Sequence, residues 1–278
     1  MTIEETVKLA LAEDLGDGDH TSRATIPPDA KGKAELIARE NGILAGINVA
    51  VEVFRQVDPE IKITKLKRDG NPLRTGDQIF LIEGRARSIL SAERTALNFL
   101  QRMSGIATYT HKVVQKLEGL HTKLLDTRKT TPCNRTIEKL AVKIGGGHNH
   151  RFGLYDMIMI KDNHIDFAGG IQNAIMDTHS YLLENDKDLK IEIEVRNFQE
   201  LREVTKLGGV HRIMLDNFTP DDLLTAVQII DKKFETEASG GITIDNIREY
   251  AESGVDYISV GALTHQIKSL DMSLKAIK

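Results

Sequence analysis

The sequence predicts an α/β protein in which an α+β region precedes a (β/α) barrel of parallel strands. In residues 32–87, short strand-like runs surround one amphipathic helix and are separated by turn residues, which is typical of an α+β domain. From residue 123 onwards, short apolar runs alternate with helical stretches, which indicates a parallel sheet buried on both faces. Six such strands are visible, so a barrel, complete or incomplete, is favoured over an open doubly wound sheet.

The composition limits the partners and the compartment that we expect. A chain of 278 residues can form one large domain or two smaller ones, and its net charge of -4 gives no general attraction to nucleic acid or membrane. The single cysteine, Cys133, excludes an intrachain disulfide and fits a reducing cytoplasm. The acidic first residues are unlike a secretory signal, and no apolar run approaches the roughly 20 residues of a membrane span. We therefore expect a cytoplasmic protein whose basic sites are local.

The N-terminal helix is predicted by its caps. Thr2 and Glu5 form a T-x-x-E capping box, apolar residues up to Leu11 repeat on one helical face, and Gly16 follows as a C-cap. The next segment, "GDGDHTS", is rich in turn formers and lacks the terminal glutamate spacing of an EF-hand loop. A structural turn is therefore favoured over a calcium site.

The α+β region and the segment after it are predicted from hydrophobic period. Strand patterns and one amphipathic helical pattern occur at "AELIA", "INVAVEVFRQV", "KITKL" and "QIFLIEG". The apolar stripe from Ile89 to Met103 then predicts a helix that Gly105 interrupts, with a second helix over 107–120. The change of pattern near residue 105 suggests a domain boundary.

The second half of the chain repeats strands and helices. The predicted strands are "KLLDT", "MIMIK", "KIEIEV", "RIMLD", "KFETEASGG" and "YISVG". The predicted helices include "FQELREVTKL", "PDDLLTAVQIIDKK" and "IDNIREYAESG".

Each of these strands ends in polar residues or glycine. The strand ends carry Asp126–Lys129, Lys161–His164, Glu192 and Glu194, Asp216 and Asn217, Ser239–Gly241, and Gly261. Active sites of barrel proteins lie at the carboxyl ends of the strands, so a shared site is favoured over six unrelated loops. The glycines of "SGGIT" and "VGALTH" would let backbone N–H groups approach an anion, although plain tight turns remain an alternative. The run "GGGHNH" is a weak nucleotide signal, because it is not a G-x-G-x-x-G that opens a helix.

Cations and acids are concentrated at these strand ends. The cations are Arg128, Lys129, Arg151 and Lys161, with His150 beside them, and they suit carboxylate or phosphate groups. Glu192 and Glu194 are two residues apart and so share one face of a strand, and Asp216 follows the next strand. Inward-facing acids among cations suit Mg²⁺ or sugar hydroxyls, and the alternative is an ion-pair network in the barrel mouth.

Three further chemistries remain open on the residues alone. His148, His150 and His164 could bind zinc, although no cysteine or carboxylate stands at a familiar spacing. Cys133 could act as a nucleophile, although nothing local supplies its base. Lys161 could form a Schiff base, as lysines on barrel strands do, although the neighbouring arginines favour anion binding.

The chain resembles one family along nearly its whole length: the quinolinate phosphoribosyltransferases, also called nicotinate-nucleotide pyrophosphorylases (carboxylating). The matching segments occur in the family's order and are "EDLGDGDHTS", "ERTALNFLQRMSGIAT", "DTRKTTP", "GGGHNHRFGLYDMIMIKDNHI", "EIEV", "LDNF", "SGGI" and "VGALTH". The long central block is highly specific, whereas "LDNF" or "SGGI" alone would not be.

The resemblance implies a fold and an activity. The fold is an N-terminal α/β sandwich domain over residues 1–104 and an incomplete (β/α) barrel of parallel strands over 105–265, with residues 266–278 packing back on the first domain. The activity is phosphoribosyl transfer from 5-phosphoribosyl-1-pyrophosphate to quinolinate with decarboxylation, which gives nicotinate mononucleotide, pyrophosphate and CO₂ for NAD biosynthesis and uses Mg²⁺. The implied assembly is a homodimer with a shared active site, or a hexamer.

The resemblance also implies roles for residues. Lys129, Lys161, Glu194 and Asp216 would be catalytic, and the last two would face the ribose and the Mg²⁺, mostly through substrate and water. Arg102 would reach into the neighbouring subunit's site. The remaining substrate-binding residues would be Thr127, Arg128, His150, Arg151, Ser239, Gly240, Gly241, Ser259 and Gly261, with the serines and glycines holding the 5′-phosphate.

One departure from the family and two rival functions stay open at this stage. After "TTP" the family continues with Gly-Leu-Arg, whereas here Cys133 and Asn134 precede Arg135, so the backbone of that loop is in question. The rivals are a barrel lyase or isomerase that uses Lys161 as a covalent lysine and a non-catalytic anion-binding protein.

Overall fold

The computed structural model describes residues 1–277, which form two compact units that interleave along the chain. The first unit contains Met1–His111, Thr130–Gly146 and the segment that begins at Leu263. The second unit contains Lys112–Lys129 and Gly147–Ala262. No helix among the described residues is both long and apolar enough to cross a membrane.

The elements that the sequence predicts occur in the predicted order, and the structure adds others that were not predicted. One of these is the helix His20–Thr25, which begins inside the predicted turn "GDGDHTS". The helices are α1 (Ile3–Leu15), α2 (His20–Thr25), α3 (Ile47–Val57), α4 (Ala86–Lys116), α5 (Arg135–Ile144), α6 (Asp162–Ala168), α7 (Ile171–Glu184), α8 (Phe198–Leu207), α9 (Pro220–Ile230), α10 (Ile247–Glu252) and α11 (Ala262–His265). The strands are β1 (Lys31–Ala38), β2 (Gly42–Ile43), β3 (Lys62–Lys65), β4 (Pro72–Leu73), β5 (Gln78–Arg85), β6 (Lys123–Leu125), β7 (Ile158–Ile160), β8 (Ile191–Val195), β9 (Arg212–Asp216), β10 (Glu235–Ser239), β11 (Tyr257–Ser259) and β12 (Met272–Ile277).

The first unit is an antiparallel sheet with helices against it. The strand order is β12-β1-β5-β3, and β12 pairs antiparallel with β1 although more than 200 residues separate them in the chain. The predicted capping box of α1 is present, because Thr2 accepts the backbone N–H of Glu5 and the Glu5 carboxylate accepts that of Thr2. The core includes an edge-to-face pair of Phe54 on α3 and Phe80 on β5, with ring centroids 6.0 Å apart.

Helix α4 corrects the prediction that Gly105 ends a helix. The helix is continuous over 31 residues and passes straight through Gly105. A Cβ at this position would overlap the Lys268 carbonyl oxygen and lie 3.1 Å from the Ser269 Cα. Close approach of another backbone segment therefore explains this glycine, and its cost in helix propensity of about 1 kcal/mol is outweighed by packing.

The second unit is a parallel sheet of six strands in the order β6-β11-β10-β9-β8-β7. Strands β8 to β11 are joined by helices α8 to α10, so consecutive strands are neighbours, as in a (β/α) barrel. β6 and β7 are the two ends of this order, and the barrel is open between them. The predicted incomplete barrel is therefore confirmed. The chain that leaves β6 contributes Thr130–Gly146 to the first unit before it returns to β7.

The domain division predicted at residues 104 and 105 stays a prediction about folding units. That point lies inside α4, and the compact units described above do not follow a single cut in the chain. A boundary predicted from the sequence is placed where the hydrophobic pattern changes. That pattern does not show that later segments, such as Thr130–Gly146, belong to the first unit.

Candidate functional site

A cavity of about 470 Å³ opens at the carboxyl ends of the parallel strands of the second unit. Each strand of the sheet contributes a side chain at or just beyond its end, because parallel strands all point the same way. The lining residues are Thr127, Arg128, Lys129, His150, Arg151, Met159, Lys161, Glu194, Met214, Asp216, Glu237, Ser239 and Ser259. Their positions make this cavity the candidate active site.

Most of the predicted site residues lie together in this cavity. Ten of them line it directly. Gly240, Gly241 and Gly261 are not among the lining residues, but each follows a lining serine in the chain by one or two positions. Arg102 belongs to the first unit and does not line this cavity.

The cations form one group in the cavity. Arg128 and Lys129 follow β6, and the Lys129 N–H donates to the Thr127 hydroxyl at 3.0 Å, which tightens the turn that carries them. Arg151 precedes β7. Burial lowers the Arg151 pKa, and the charge of Arg128 lowers it further, so the two guanidinium groups lie within electrostatic reach of each other. An anion between them would relieve that repulsion.

The acids form a second group near Lys161. The Lys161 ammonium is paired with the Glu194 carboxylate, which is nearly buried. Asp216, at the end of β9, accepts a hydrogen bond from the Asn217 side chain at 2.6 Å. Burial raises the pKa of Asp216, and the charge of Glu194 raises it further. These two carboxylates repel each other and would both be stabilised by a cation.

A buried charge network lies beneath the cavity. Glu192 and Glu237 are fully buried, and their Oε2 atoms lie 3.1 Å and 3.4 Å from the Nε2 atom of His150. Arg212 lies deeper in the barrel, with its Nη1 atom 2.9 Å from Glu237 Oε2 and its Nη2 atom 3.1 Å from Glu235 Oε2. The guanidinium also lies over the Tyr257 ring, 4.0 Å from its centroid. The Arg212 guanidinium thus forms ion pairs with both Glu235 and Glu237.

This network keeps an extra proton. Burial and the charge of Glu237 raise the pKa of Glu192, which favours a protonated carboxyl there. Burial alone would raise the pKa of Glu237, but His150 and Arg212 outweigh it and lower that pKa. The Nδ1 atom of His150 accepts the Arg151 N–H at 2.7 Å, so the ring is neutral. With Arg212 and Glu237 both charged, a proton on Glu192 leaves these four groups without net charge.

The glycine turn after β10 is shaped for close backbone approach. Gly240 and Gly241 have φ angles of 97° and 63°, a region that favours glycine. A Cβ on Gly240 would overlap the Asn217 side chain, whereas a Cβ on Gly241 would meet nothing within 4 Å. Helix α10 begins at Ile247, inside the predicted helical segment "IDNIREYAESG" and six residues after Gly241. The turn itself, rather than a helix terminus, would provide N–H donors here.

Sequence reasoning missed three lining residues. Met159 and Met214 lie on β7 and β9 and contribute apolar surface. Glu237 lies on β10 two residues after Glu235, the same alternation that marked Glu192 and Glu194 on β8. That alternation could have identified Glu237, but the sequence offered no histidine partner for it.

Arg102 is held inside the first unit. Its guanidinium pairs with the fully buried Glu138, with Nε and Nη2 2.9 Å and 2.8 Å from Oε1, and Nη2 also donates to the Thr131 hydroxyl and the Thr264 carbonyl. Arg102 and Cys133 line a second cavity, of about 390 Å³, within that unit. Within this chain alone, Arg102 is therefore not a lining residue of the candidate site.

The structure also answers the question about the loop at Cys133. This exposed cysteine has a φ angle of 65°, the left-handed region that glycine adopts readily. The loop thus keeps a glycine-like conformation without a glycine, at a cost of about 1–2 kcal/mol.

The predicted zinc set is not brought together. Among residues 1–277, the histidine and acid atoms close enough to share a metal ion belong to His150, Glu192 and Glu237, within 4.8 Å of one another. His148 and His164 are not in that group, and the Arg212 guanidinium lies against Glu237 and neutralises it. An internal cation thus takes the role that a metal would have at this cluster.

The fold and the cavity define a class of protein. An open (β/α) barrel whose strand ends bring four cations and two carboxylates into one cavity is built to bind a strongly anionic ligand. Family models agree with that class: the quinolinate phosphoribosyl transferase N-terminal domain matches residues 19–104, and the C-terminal domain of the same family matches residues 106–275. The chain belongs to the quinolinate phosphoribosyltransferase family.

Individual relatives match over nearly the whole chain. The chloroplastic nicotinate-nucleotide pyrophosphorylase [carboxylating] of Oryza sativa subsp. japonica is 46% identical, over 98% of this chain and 77% of the relative. The mitochondrial quinolinate phosphoribosyltransferase [decarboxylating] 2b of Nicotiana tabacum is 44% identical, over 98% of this chain and 82% of the relative. The crystal structure of NadC from Streptococcus pyogenes is 40% identical and superposes with a TM-score of 0.93, over 99% of this chain and 97% of that one.

Proposed function

We propose that this chain is an enzyme that transfers the phosphoribosyl group of 5-phosphoribosyl-1-pyrophosphate to quinolinate and removes one carboxylate as CO₂. The products are nicotinate mononucleotide, pyrophosphate and CO₂, which is the activity of the family to which the chain belongs. The observation that carries this function is the single cavity in which Arg128, Lys129, Arg151 and Lys161 face two carboxylates at the strand ends.

Substrate binding is the first task of this cavity. Quinolinate carries two carboxylates, and the guanidinium groups of Arg128 and Arg151 are the side chains that grip carboxylates with paired N–H donors. Their mutual repulsion would favour a dianion between them. We assign the 5′-phosphate to the serines and glycines at the ends of β10 and β11: Ser239, Gly240, Gly241, Ser259 and Gly261.

Glu194 and Asp216 suit the ribose and a Mg²⁺ ion. Both are carboxylates, the oxygen ligands that Mg²⁺ prefers, and their like charges raise the Asp216 pKa, so a cation there would be stabilising. The residues present therefore fit the ion, which would neutralise charge on the departing pyrophosphate when bound. Glu194 also pairs with Lys161, and this pairing orients the Lys161 side chain in the cavity.

The chemistry needs no covalent intermediate. The ring nitrogen of quinolinate forms a bond to C1′ of the ribose while the bond from C1′ to pyrophosphate breaks, and positive charge on the sugar would be stabilised by Glu194 and Asp216. The C–C bond to the 2-carboxylate then breaks, CO₂ leaves, and the electron pair stays on C2 beside the pyridinium nitrogen. A proton added to C2 completes nicotinate mononucleotide. Lys129 and Lys161 act by holding and orienting the anions.

We also propose a homodimer with a shared active site, which could assemble further into a hexamer. Arg102 is fixed by Glu138 within the first unit and is not in the cavity of its own chain, which fits a role in the site of a neighbouring copy. Exposed apolar side chains such as Leu154, Tyr155 and Phe167 in the second unit fit a surface that another copy covers.

A cytoplasmic location is proposed from the residues alone. The single exposed cysteine suits a reducing compartment. Two plant relatives carry organelle names, chloroplastic and mitochondrial, so the compartment differs within the family.

The decisive experiment is release of labelled CO₂ from quinolinate labelled in the 2-carboxylate. Release that requires 5-phosphoribosyl-1-pyrophosphate, with formation of nicotinate mononucleotide, is the expected result. Release without the phosphoribosyl donor, or none with pure protein at any donor concentration, would contradict the proposal. Borohydride treatment with substrate should leave no adduct on Lys161, because the proposed chemistry forms no covalent intermediate.

A further inference from the structure

Two buried glutamates, Glu237 in the cavity wall and Glu192 behind it, have no role in the proposed chemistry. Glu192 and Glu237 are fully buried inside the barrel, where carboxylates are costly unless they are well paired. The Oε1 atom of each accepts no hydrogen bond from the described residues. Apolar side chains would fill this layer of the barrel at lower cost. The acids therefore call for an explanation other than stability.

His150 connects these acids to the substrate cavity. Its Nε2 atom faces the two carboxylates, and its Nδ1 atom accepts the backbone N–H of Arg151 at 2.7 Å. The His150 backbone N–H donates to the buried Asp126 carboxylate at 2.9 Å, which fixes the other side of the residue. An Nδ1 atom that accepts a hydrogen bond in the neutral ring requires the proton to be on Nε2, which is the nitrogen that the carboxylates face.

Arg151, whose backbone N–H donates to His150, is one of the cations that line the cavity. Arg151 lines the cavity near Arg128, and its Nη1 atom donates to the Met157 carbonyl at 3.3 Å. The direction in which its guanidinium enters the cavity depends on the backbone at residues 150 and 151. That backbone is held at two points, the Asp126 carboxylate and the His150 ring.

We propose that Glu237, together with Glu192, is a positioning residue for Arg151, because it holds the Nε2 proton of His150 and so leaves Nδ1 to accept the Arg151 N–H. The inference rests on the proposed function, in which Arg151 grips a carboxylate of quinolinate. Groups that orient a binding residue in this way act on substrate affinity without contacting the substrate.

Glu237→Gln tests the role, and Glu235→Gln is its matched control. Glu235 lies on the same strand and pairs with the same Arg212, but it does not contact His150. Glu237→Gln should raise the KM for quinolinate about 10-fold, and kcat should change by less than about 3-fold. Glu235→Gln should leave the KM for quinolinate unchanged. Equal effects of the two variants would mean that the ion pair with Arg212 is all that matters, and would overturn the proposal.

A double-mutant cycle separates positioning from direct contact. If Glu237 acts through Arg151, Glu237→Gln should raise KM by less than about 2-fold in an Arg151→Ala background. Additive effects would show that Glu237 acts on the substrate independently, and the proposal would be wrong.

A measurement on the unaltered protein covers the case in which Glu237→Gln does not fold. The ¹⁵N spectrum of labelled histidine should show His150 with Nε2 protonated and Nδ1 unprotonated at neutral pH; a proton on Nδ1 would refute the arrangement. The two proposals also fail differently. No CO₂ release by the wild-type protein would refute the function, whereas normal release with an unchanged KM in Glu237→Gln would refute the positioning role alone.

Discussion

The cavity keeps like charges close together in two pairs, Arg128 with Arg151 and Glu194 with Asp216. The charge of Arg128 lowers the Arg151 pKa, and the charge of Glu194 raises the Asp216 pKa, in each case after burial. Such arrangements cost folding free energy and are stabilised when a ligand of opposite charge binds. Lys161 joins the two groups through its pair with Glu194.

Removal of either Arg128 or Lys161 should abolish turnover. We expect Arg128→Ala and Lys161→Ala to lower kcat/KM by at least about 10²–10³-fold, because each deletes a charge that holds or orients an anion. Circular dichroism should show an intact fold, since both side chains are substantially exposed. Lys187→Ala, an exposed lysine outside the cavity, serves as the control. Near-normal kcat/KM for both cavity variants would contradict the site assignment.

The network of His150, Glu192, Glu237 and Arg212 predicts a pH dependence of stability. Burial and the charge of Glu237 raise the folded pKa of Glu192 above the value of a free glutamate, so its contribution to stability is complete below that free value and is lost as the pH rises through the folded pKa. Urea titration at pH 5 and pH 9 should therefore give a lower free energy of unfolding at the higher pH. A Glu192→Gln variant should lose less stability over the same range, because glutamine cannot ionise; an equal loss would point to other groups.

At the scale of secondary-structure elements, most of the fold could be predicted because the signals are local. Helices α3 and α8 coincide with the predicted segments, since each has caps or an apolar stripe in its own sequence. Helix α4 differs because Gly105 is present for packing rather than for a break. The sequence does not distinguish a glycine that breaks a helix from a glycine that allows another backbone segment to pack closely.

Gly105→Ala tests this explanation directly. Alanine should improve helix propensity by about 1 kcal/mol, but the added Cβ would overlap the Lys268 carbonyl, and overpacking costs about 1–3 kcal/mol. We therefore expect a net loss in the free energy of unfolding, measured by chemical denaturation. Gly32→Ala is the control, because its Cβ would make only ordinary contacts with Ala86, at 3.6 Å from the Cβ and 3.8 Å from the Cα. A Gly105→Ala protein more stable than wild type would show that the contact is absent.

At the scale of the whole molecule, the chain passes between two units several times. Thr130–Gly146 leaves the barrel between β6 and β7, where the sheet stays open, and β12 returns to pair with β1. In the proposed dimer, Arg102 of one copy would also complete the active site of the other copy.

Subunit mixing should reveal a shared site. An Arg102→Ala subunit and an Arg128→Ala subunit should each be inactive as homodimers, and their heterodimer should recover about a quarter to a half of the wild-type activity per dimer, because one complete site forms. Arg102→Ala leaves the buried Glu138 without its cation, so cooperative unfolding of each purified protein must be confirmed first. No recovery in verified heterodimers would argue against the shared site.

The sequence alone determined the order of the main strands and helices, the parallel barrel and most of the cavity residues, because hydrophobic period and polar strand ends are local properties of the chain. It also carried the family resemblance in "DTRKTTP" and in the block around His150. Only the tertiary structure decided that Glu237 and Glu192 meet His150, that Gly105 lies in a continuous helix, and that Arg102 is held by Glu138. Each of these depends on which segments approach one another across long separations in the chain, and no local pattern encodes that approach.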